Sequence, residues 1–340
     1  MAVDKLKPDD PRAQSLTATV RGKTYHYLYA KPSGPPRGTV LLVHGFPDLG
    51  FGWRYQVPYL LSLGLQVIVP DMLGYGGTDA PQDLSLYSLK SVNDDLAELV
   101  RQIIGPGEQI ILGGHDWGGM VVWRFALWHP EMLKGVFSIC TPYAPISLDF
   151  VDIPQLIQRL PNFTYQAQLA GPDVEREIGS DPVKIRSLLS GIYGAWGADG
   201  SRVFTVDKGV HFENLDKMGK SPLLSDDEIE YYVKQYSRNG MRGPLNWYRT
   251  RKFNYEEELA LLKDGQQPKV QPPAMLVAAS KDAALPPRMA KGMEVYFENI
   301  KILEVDGTHW SLWEPSAAET NGHIGTFVEQ LLGDTTKASI

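Results

Sequence analysis

Residues 109–120 read QIILGGHDWGGM: an apolar, β-branched run that stops at two glycines, presents one acidic side chain, Asp116, and resumes at Gly118-Gly119 as a stretch of helix length running to His129 and stopped by Pro130. A short run of this kind reads as a strand buried on both faces, and the stretch after it as a helix, so Asp116 falls on a tight strand-to-helix turn. Small neighbours are what such a turn needs, because a Cβ at the flanking glycines would collide with the adjacent strand or helix. The shape is that of a nucleophile elbow with aspartate where serine usually stands. An aspartate that merely caps the following helix is the alternative reading of the same residues.

Outward from this turn the same grammar repeats. GTVLLVHG (38–45), LQVIVPD (65–71), GVFSIC (135–140), AMLVAASKD (274–282) and KILEVDG (301–307) are short apolar runs ending at or near Gly or Asp, expected as strands buried on both faces. Helix-length stretches lie between them, such as Tyr87 to Ile104, where Leu86, Leu89, Val92, Leu96 and Val100 keep near-helical spacing. Alternation of strand and helix predicts a mostly parallel α/β sheet. Ahead of it, LTATVRGKTYHYLYA (16–30) alternates and turns at Arg21-Gly22-Lys23, an antiparallel hairpin, and KPSGPPRG (31–38) reads as the loop into the core.

The rhythm breaks between about Thr141 and Pro273, where no comparable strand-like run occurs and the chain reads as helical. Ser225-Asp226-Asp227-Glu228 is a capping-box start, and Pro182 opens a further helix. An insert placed between two core strands is expected to cover their carboxyl ends, where open α/β sheets bind ligands. The expected division is a core of residues 1–142, a helical cap of 143–265 and a second core portion of 266–340.

The composition is that of an ordinary globular chain: 340 residues, 43% hydrophobic and 21% charged, with a formal charge of −7. Scattered Lys and Arg on a mildly acidic chain speak against a nucleic-acid partner. Cys140, the sole cysteine, forbids an internal disulfide and a cysteine-rich metal site and fits a reducing compartment. The charged opening MAVDKLKPDDPRAQ is unlike a signal peptide, and no segment reaches the roughly 18 apolar residues of a membrane span. A cytoplasmic protein, monomer or homodimer, is expected.

Two further segments give the elbow its chemistry. Asp282 follows the 274–280 run and His309 follows the 301–307 run, so nucleophile, acid and histidine occur in the chain order of an α/β-hydrolase triad. Taken singly, Asp282 could be a helix cap and His309 a surface histidine. His44-Gly45-Phe46-Pro47 is placed to supply a backbone N–H at Phe46 which, with that of Trp117, would form an oxyanion hole, though a plain tight turn reads the same way. Gly74-Tyr75-Gly76-Gly77 lacks the spacing of a dinucleotide loop. His115, His129 and Cys140 are read as structural. A carboxylate nucleophile suits attack on a saturated carbon: serine would be alkylated to an ether that water cannot remove, whereas aspartate becomes an ester that activated water can hydrolyse. Asp282 would then orient His309 as the base acting on that water.

With these motifs the chain resembles the soluble-type epoxide hydrolases of the α/β-hydrolase superfamily. HGFPD (44–48), GGHDWGG (113–119), Asp282 and GTHW (307–310) match, and the likeness runs from about Thr24 to Gln330. FTYQ (163–166) and especially RGPLNWYR (242–249) are similar to the two family segments that each present a tyrosine to the epoxide oxygen. The resemblance therefore implies Tyr165 and Tyr248 as site residues, an apolar epoxide and water as partners, and no metal or organic cofactor. An opening epoxide develops negative charge on oxygen, and a phenol can stabilise it without competing for charge with Asp116. Tyr231, Tyr232 and Tyr236 are read as cap packing. The N-terminal tail and the cap stretch around 195–216 depart from familiar relatives, so substrate shape does not carry over. A haloalkane dehalogenase, which shares the Asp-Trp pair, is the alternative, and a non-catalytic receptor on the same fold is a second.

Overall fold

A computed structural model describes residues 3–313 and 315–333. Its strands are β1 (Gln14–Val20), β2 (Lys23–Ala30), β3 (Gly38–Val43), β4 (Leu65–Pro70), β5 (Ile110–His115), β6 (Leu133–Ile139), β7 (Phe204–Thr205), β8 (Gly209–Val210), β9 (Ala274–Ala279) and β10 (Ile300–Val305). Eight form one sheet in the order β1-β2-β4-β3-β5-β6-β9-β10. β1, β2 and β4 pair antiparallel, and every other neighbour in the sheet is parallel. The N-terminal hairpin closes on Arg21 and Gly22 alone, both at positive φ (46° and 79°), while Lys23 already pairs with Val20. Two left-handed residues give the turn whose twist matches the strands it joins.

The apolar runs become strands as expected, and β5 at the centre is buried throughout. β10 differs: it is the sheet's edge, paired only with β9, and Lys301, Ile302 and Glu304 are exposed. KILEVDG is therefore not buried on both faces: Lys301 and Ile302, which point to opposite faces, are both exposed at the sheet's edge.

The helices are α1 (Gln56–Ser62), α2 (Leu89–Ile104), α3 (Trp117–Trp128), α4 (Ile153–Arg159), α5 (Tyr165–Ala170), α6 (Asp173–Ile178), α7 (Pro182–Ile192), α8 (Asp226–Asn239), α9 (Arg242–Asn246), α10 (Arg251–Glu258) and α11 (Ala317–Leu332). α4 to α10 come from the insert, which is not wholly helical: β7 and β8 form a short antiparallel hairpin within it. The capping box is present in full, with the Ser225 hydroxyl accepting from the Glu228 N–H and the Glu228 carboxylate accepting from the Ser225 N–H. At α7 the Asp181 carboxylate accepts from the N–H groups of Val183 and Lys184, one residue ahead of Pro182.

The insert is bolted to the core by buried polar contacts. Arg124 of α3 pairs with Glu258 of α10 at 2.9 Å. Arg54 pairs with Glu228 of α8 at 2.9 Å, and Lys5 of the N-terminal segment reaches the same carboxylate oxygen at 2.7 Å. The Trp247 indole donates to the Leu73 carbonyl (2.9 Å), and Gly74 and Gly243 are in backbone contact so close that a Cβ on either would lie within 2.7 Å of the other's main chain. GYGG is thus a seam between insert and core.

Candidate active site

Asp116 sits between β5 and α3 with φ 55° and ψ −121°, a conformation that side-chain-bearing residues adopt only under constraint. The constraint is visible at the glycines. A Cβ on Gly114 would fall 2.2 Å from the Gly118 carbonyl oxygen, and one on Gly118 would fall 2.0 Å from that of Val43. The start of α3 is thus pressed against β3 and β5, and the aspartate is thrust out at the carboxyl end of the sheet. Its side chain does not cap α3; Oδ1 instead accepts the Phe46 N–H at 2.7 Å. The capping alternative fails on that bond.

The sheet brings the other two members to the same point. His309, on the loop after β10, donates or accepts through Nδ1 with Asp282 Oδ2 at 2.7 Å, while its Nε2 stands 3.5 Å from Asp116 Oδ2. Asp282, after β9, also accepts the N–H groups of Ala284 and Leu285 through Oδ1, each at 2.8 Å. No helix begins at Leu285 for Asp282 to cap; one carboxylate oxygen instead holds the turn, and the turn holds the other on the imidazole.

Above Asp116 the insert closes a cavity of about 530 Å³ whose lining includes Phe46, Asp116, Asp282 and His309 from the core and Tyr165 and Tyr248 from the insert. Tyr165 opens α5, and Tyr248 lies in the turn after α9. Their rings stand 6.3 Å apart and nearly perpendicular, and both are buried. Tyr248 meets the rings of Phe46 and Trp117 edge-on, at 5.3 Å each. Trp117 itself packs on Trp247 and Tyr248. Arg202, lying over the half-exposed Trp196 ring at 4.2 Å, and Lys281 bring positive charge to the lining. Tyr232 and Tyr236 lie elsewhere, donating to the Asp48 carboxylate (2.7 Å) and carbonyl (3.0 Å), and Tyr231 packs on Phe51.

Residues 38–183 match the family described as alpha/beta hydrolase fold. Over 343 residues the chain is 43% identical to Epoxide hydrolase srdG of Neurospora crassa, covering 98% of this chain and 100% of that protein. The chain belongs to the epoxide hydrolase family of α/β hydrolases. It is 32% identical to the rat Bifunctional epoxide hydrolase 2 over 84% of its own length, and spans half of that longer protein. Among solved structures, Epoxide Hydrolase A from Mycobacterium thermoresistibile aligns with a TM-score of 0.76 at 26% identity, over 93% of this chain and 98% of that one.

In this member of the epoxide hydrolase family the site's charges are coupled. Burial raises the Asp116 carboxyl above its ordinary value, while His309 and the N–H groups of Phe46 and Trp117 pull it back. Burial would lower His309, but the charge and hydrogen bond of Asp282, with the charge of Asp116, outweigh it and hold the imidazole up at about 9. Asp282 is correspondingly lowered, its burial overcome by His309. Burial raises both tyrosines, Tyr165 furthered by the charge of Asp116 and Tyr248 by Tyr165 and Asp116, so both rings stay neutral phenols.

Three residues carry more than their motifs signalled. His115 Nε2 lies 2.8 Å from the His309 carbonyl oxygen, and Cys140 Sγ donates to the same oxygen at 3.6 Å. Their ligand-capable atoms and those of His309 lie within 4.8 Å of one another, yet the two side chains are engaged with a main-chain carbonyl, which fixes the backbone of His309. Asp48, the last residue of HGFPD, is buried, and burial pushes its carboxyl up to about 7. Its negative charge also supports the proton on His309. His129 is remote from the site, bonded to Asp94 at 3.0 Å.

Proposed function

We propose that this chain opens small, largely apolar epoxides to vicinal diols through a covalent ester on Asp116. Asp116 Oδ2 attacks a ring carbon, the C–O bond breaks, and the oxygen's developing charge is met by the hydroxyls of Tyr165 and Tyr248, one of which delivers a proton. The ester is then hydrolysed by water that His309 deprotonates, with Asp282 steadying the imidazolium and the N–H groups of Phe46 and Trp117 holding the tetrahedral oxyanion. The observation that carries this reading is one carboxylate, held by the Phe46 N–H at 2.7 Å and facing His309 at 3.5 Å, across a cavity from two buried phenols.

The electrostatics make the two steps sequential. In the resting enzyme the Asp116 charge helps hold the proton on His309. Alkylation turns that carboxylate into a neutral ester and removes this support, so the imidazole becomes a better base when a base is first required. Haloalkane dehalogenation would need indole or amide N–H donors around a departing halide. Trp117 packs its ring on Trp247 and Tyr248, and two buried phenols line the cavity with Asp116, which favours the epoxide.

In the same reading residues 143–265 act as the substrate-covering unit and 1–142 with 266–340 as the catalytic one. On this reading the chain works in the cytoplasm as a monomer or homodimer; its one cysteine, buried and free, suits a reducing compartment. The deciding experiment is a single turnover in ¹⁸O-water with enzyme in excess. The label is expected first in the peptide that contains Asp116; a diol labelled at once, with an unlabelled peptide, would remove the covalent route.

A further inference from the structure

A second cavity, of about 280 Å³, lies between the N-terminal segment, the β1–β2 hairpin and α8, and shares no lining residue with the cavity over Asp116. We propose that Ser15, His26 and Asp71 form a serine-based hydrolytic site in it, acting on small carboxylic esters. The three side chains stand in a relay. Ser15 Oγ is 2.7 Å from His26 Nε2, and His26 Nδ1 is 2.7 Å from Asp71 Oδ2. The acid end is buried and fixed, its carboxylate accepting N–H groups from Gly50 at 2.9 Å and Gly77 at 3.1 Å. A carboxylate so engaged accepts from the imidazole, which places the ring proton on Nδ1 and leaves the Nε2 lone pair facing the serine hydroxyl.

Position along the relay also suits the chemistry. The Asp71 side chain is 3% exposed and that of His26 13%, while Ser15 is exposed on β1, an edge strand. Ser15 and His26 both line the cavity, with Leu28, Phe51 and Tyr231 as apolar wall for an acyl chain and Arg238 as positive charge for a carbonyl oxygen. Asp10, in the same lining, is engaged by Arg12 at 2.9 Å.

The balance is that of acyl transfer. Ser15 Oγ adds to the ester carbonyl carbon as its proton passes to His26 Nε2. The tetrahedral adduct collapses, the bond to the alcohol oxygen breaks, and that oxygen takes the proton from His26. Water then adds to the acyl carbon, giving its proton to His26, and the carboxylic acid departs as Ser15 recovers its hydrogen.

The test is covalent labelling of the full chain with diisopropyl fluorophosphate, mapped on the tryptic peptide Ala13–Arg21. Ser15 is expected to be phosphorylated, with loss of fluoride, at least a hundredfold faster than Thr17, which lies on the same strand, also lines the cavity and makes no hydrogen bond to His26. Ser15→Ala, a surface change, is expected to abolish the label and lower hydrolysis of p-nitrophenyl acetate tenfold or more, with epoxide turnover and melting temperature unchanged. No label on the peptide, Ser15 no faster than Thr17, or full ester hydrolysis in Ser15→Ala would each overturn the proposal.

Discussion

At the scale of single residues, the site turns on which charges and donors face Asp116. On the proposed mechanism Tyr165→Phe and Tyr248→Phe each remove one donor aimed at developing charge, and both keep the ring's volume, so folding should survive. Such a donor is worth roughly 3–4 kcal/mol, so alkylation should slow about a hundredfold or more for each and nearly cease in the double variant. Stopped-flow quenching of tryptophan emission by an epoxide reads this directly; a folded double variant alkylating at the wild-type rate would refute the assignment. His309 gives a pH signature. In the free enzyme its pKa is raised to about 9, so the stability this proton lends is complete below the ordinary histidine value near 6.5 and is lost as pH rises through about 9. Ester hydrolysis needs the neutral ring, so its single-turnover rate should rise with pH and level off around a pKa below 9, because the ester no longer carries the charge of Asp116. His309→Gln should accumulate the ester. Ester decay independent of pH between 5 and 9 in the wild type would contradict the role.

At the scale of elements, the β5–α3 turn is held by what is missing from its glycines. Gly118→Ala would set a Cβ 2.0 Å from the Val43 carbonyl oxygen, a main-chain atom that cannot swing aside. Overpacking of this kind costs about 1–3 kcal/mol, and here the start of α3 must retreat from β3, carrying the Trp117 N–H with it. Denaturant unfolding should show a loss at the upper end of that range, and activity should fall further than stability. A variant with wild-type stability and turnover would mean that the turn relaxes freely. The elbow was legible in sequence because its chemistry and its sterics occupy six consecutive residues. The edge exposure of β10 and the β7–β8 hairpin were not, since a strand's place at an edge depends on neighbours distant in the chain, and two-residue strands leave no periodicity.

At the scale of the whole molecule, the insert and the core share buried ion pairs. Arg124 is almost wholly buried, and its partner Glu258 lies on α10 across the boundary. Glu258→Gln would strand a guanidinium without a countercharge, and breaking such a pair costs about 3–5 kcal/mol. Replacing both residues by Met and Leu should cost less than the single change, because no charge is then left unpaired. Thermal unfolding of the two variants decides; equal losses would show that the pair is solvated. The ties also bear on function, since the cavity is lined by Tyr165 and Tyr248 from the insert and by Asp116 from the core.

The sequence by itself determined the alternation that makes the sheet, the strained turn at Asp116, and the order in which Asp282 and His309 follow it, because each is a local pattern of apolar period, small residues and strand ends. It also marked Tyr165 and Tyr248, but only through likeness to a family; as residues they are two of 16 tyrosines, and nothing in their spacing separates them from Tyr231, Tyr232 and Tyr236. Tertiary structure alone decided that difference. It set two of these phenols in the lining of the cavity that Asp116 also lines and bonded Tyr232 and Tyr236 to Asp48. It likewise set His115 and Cys140 on the carbonyl of His309 and brought Ser15 to His26 and Asp71. Local pattern fixes which face of an element is buried, whereas the direction of a polar side chain is set by partners that the fold brings from tens to hundreds of residues away.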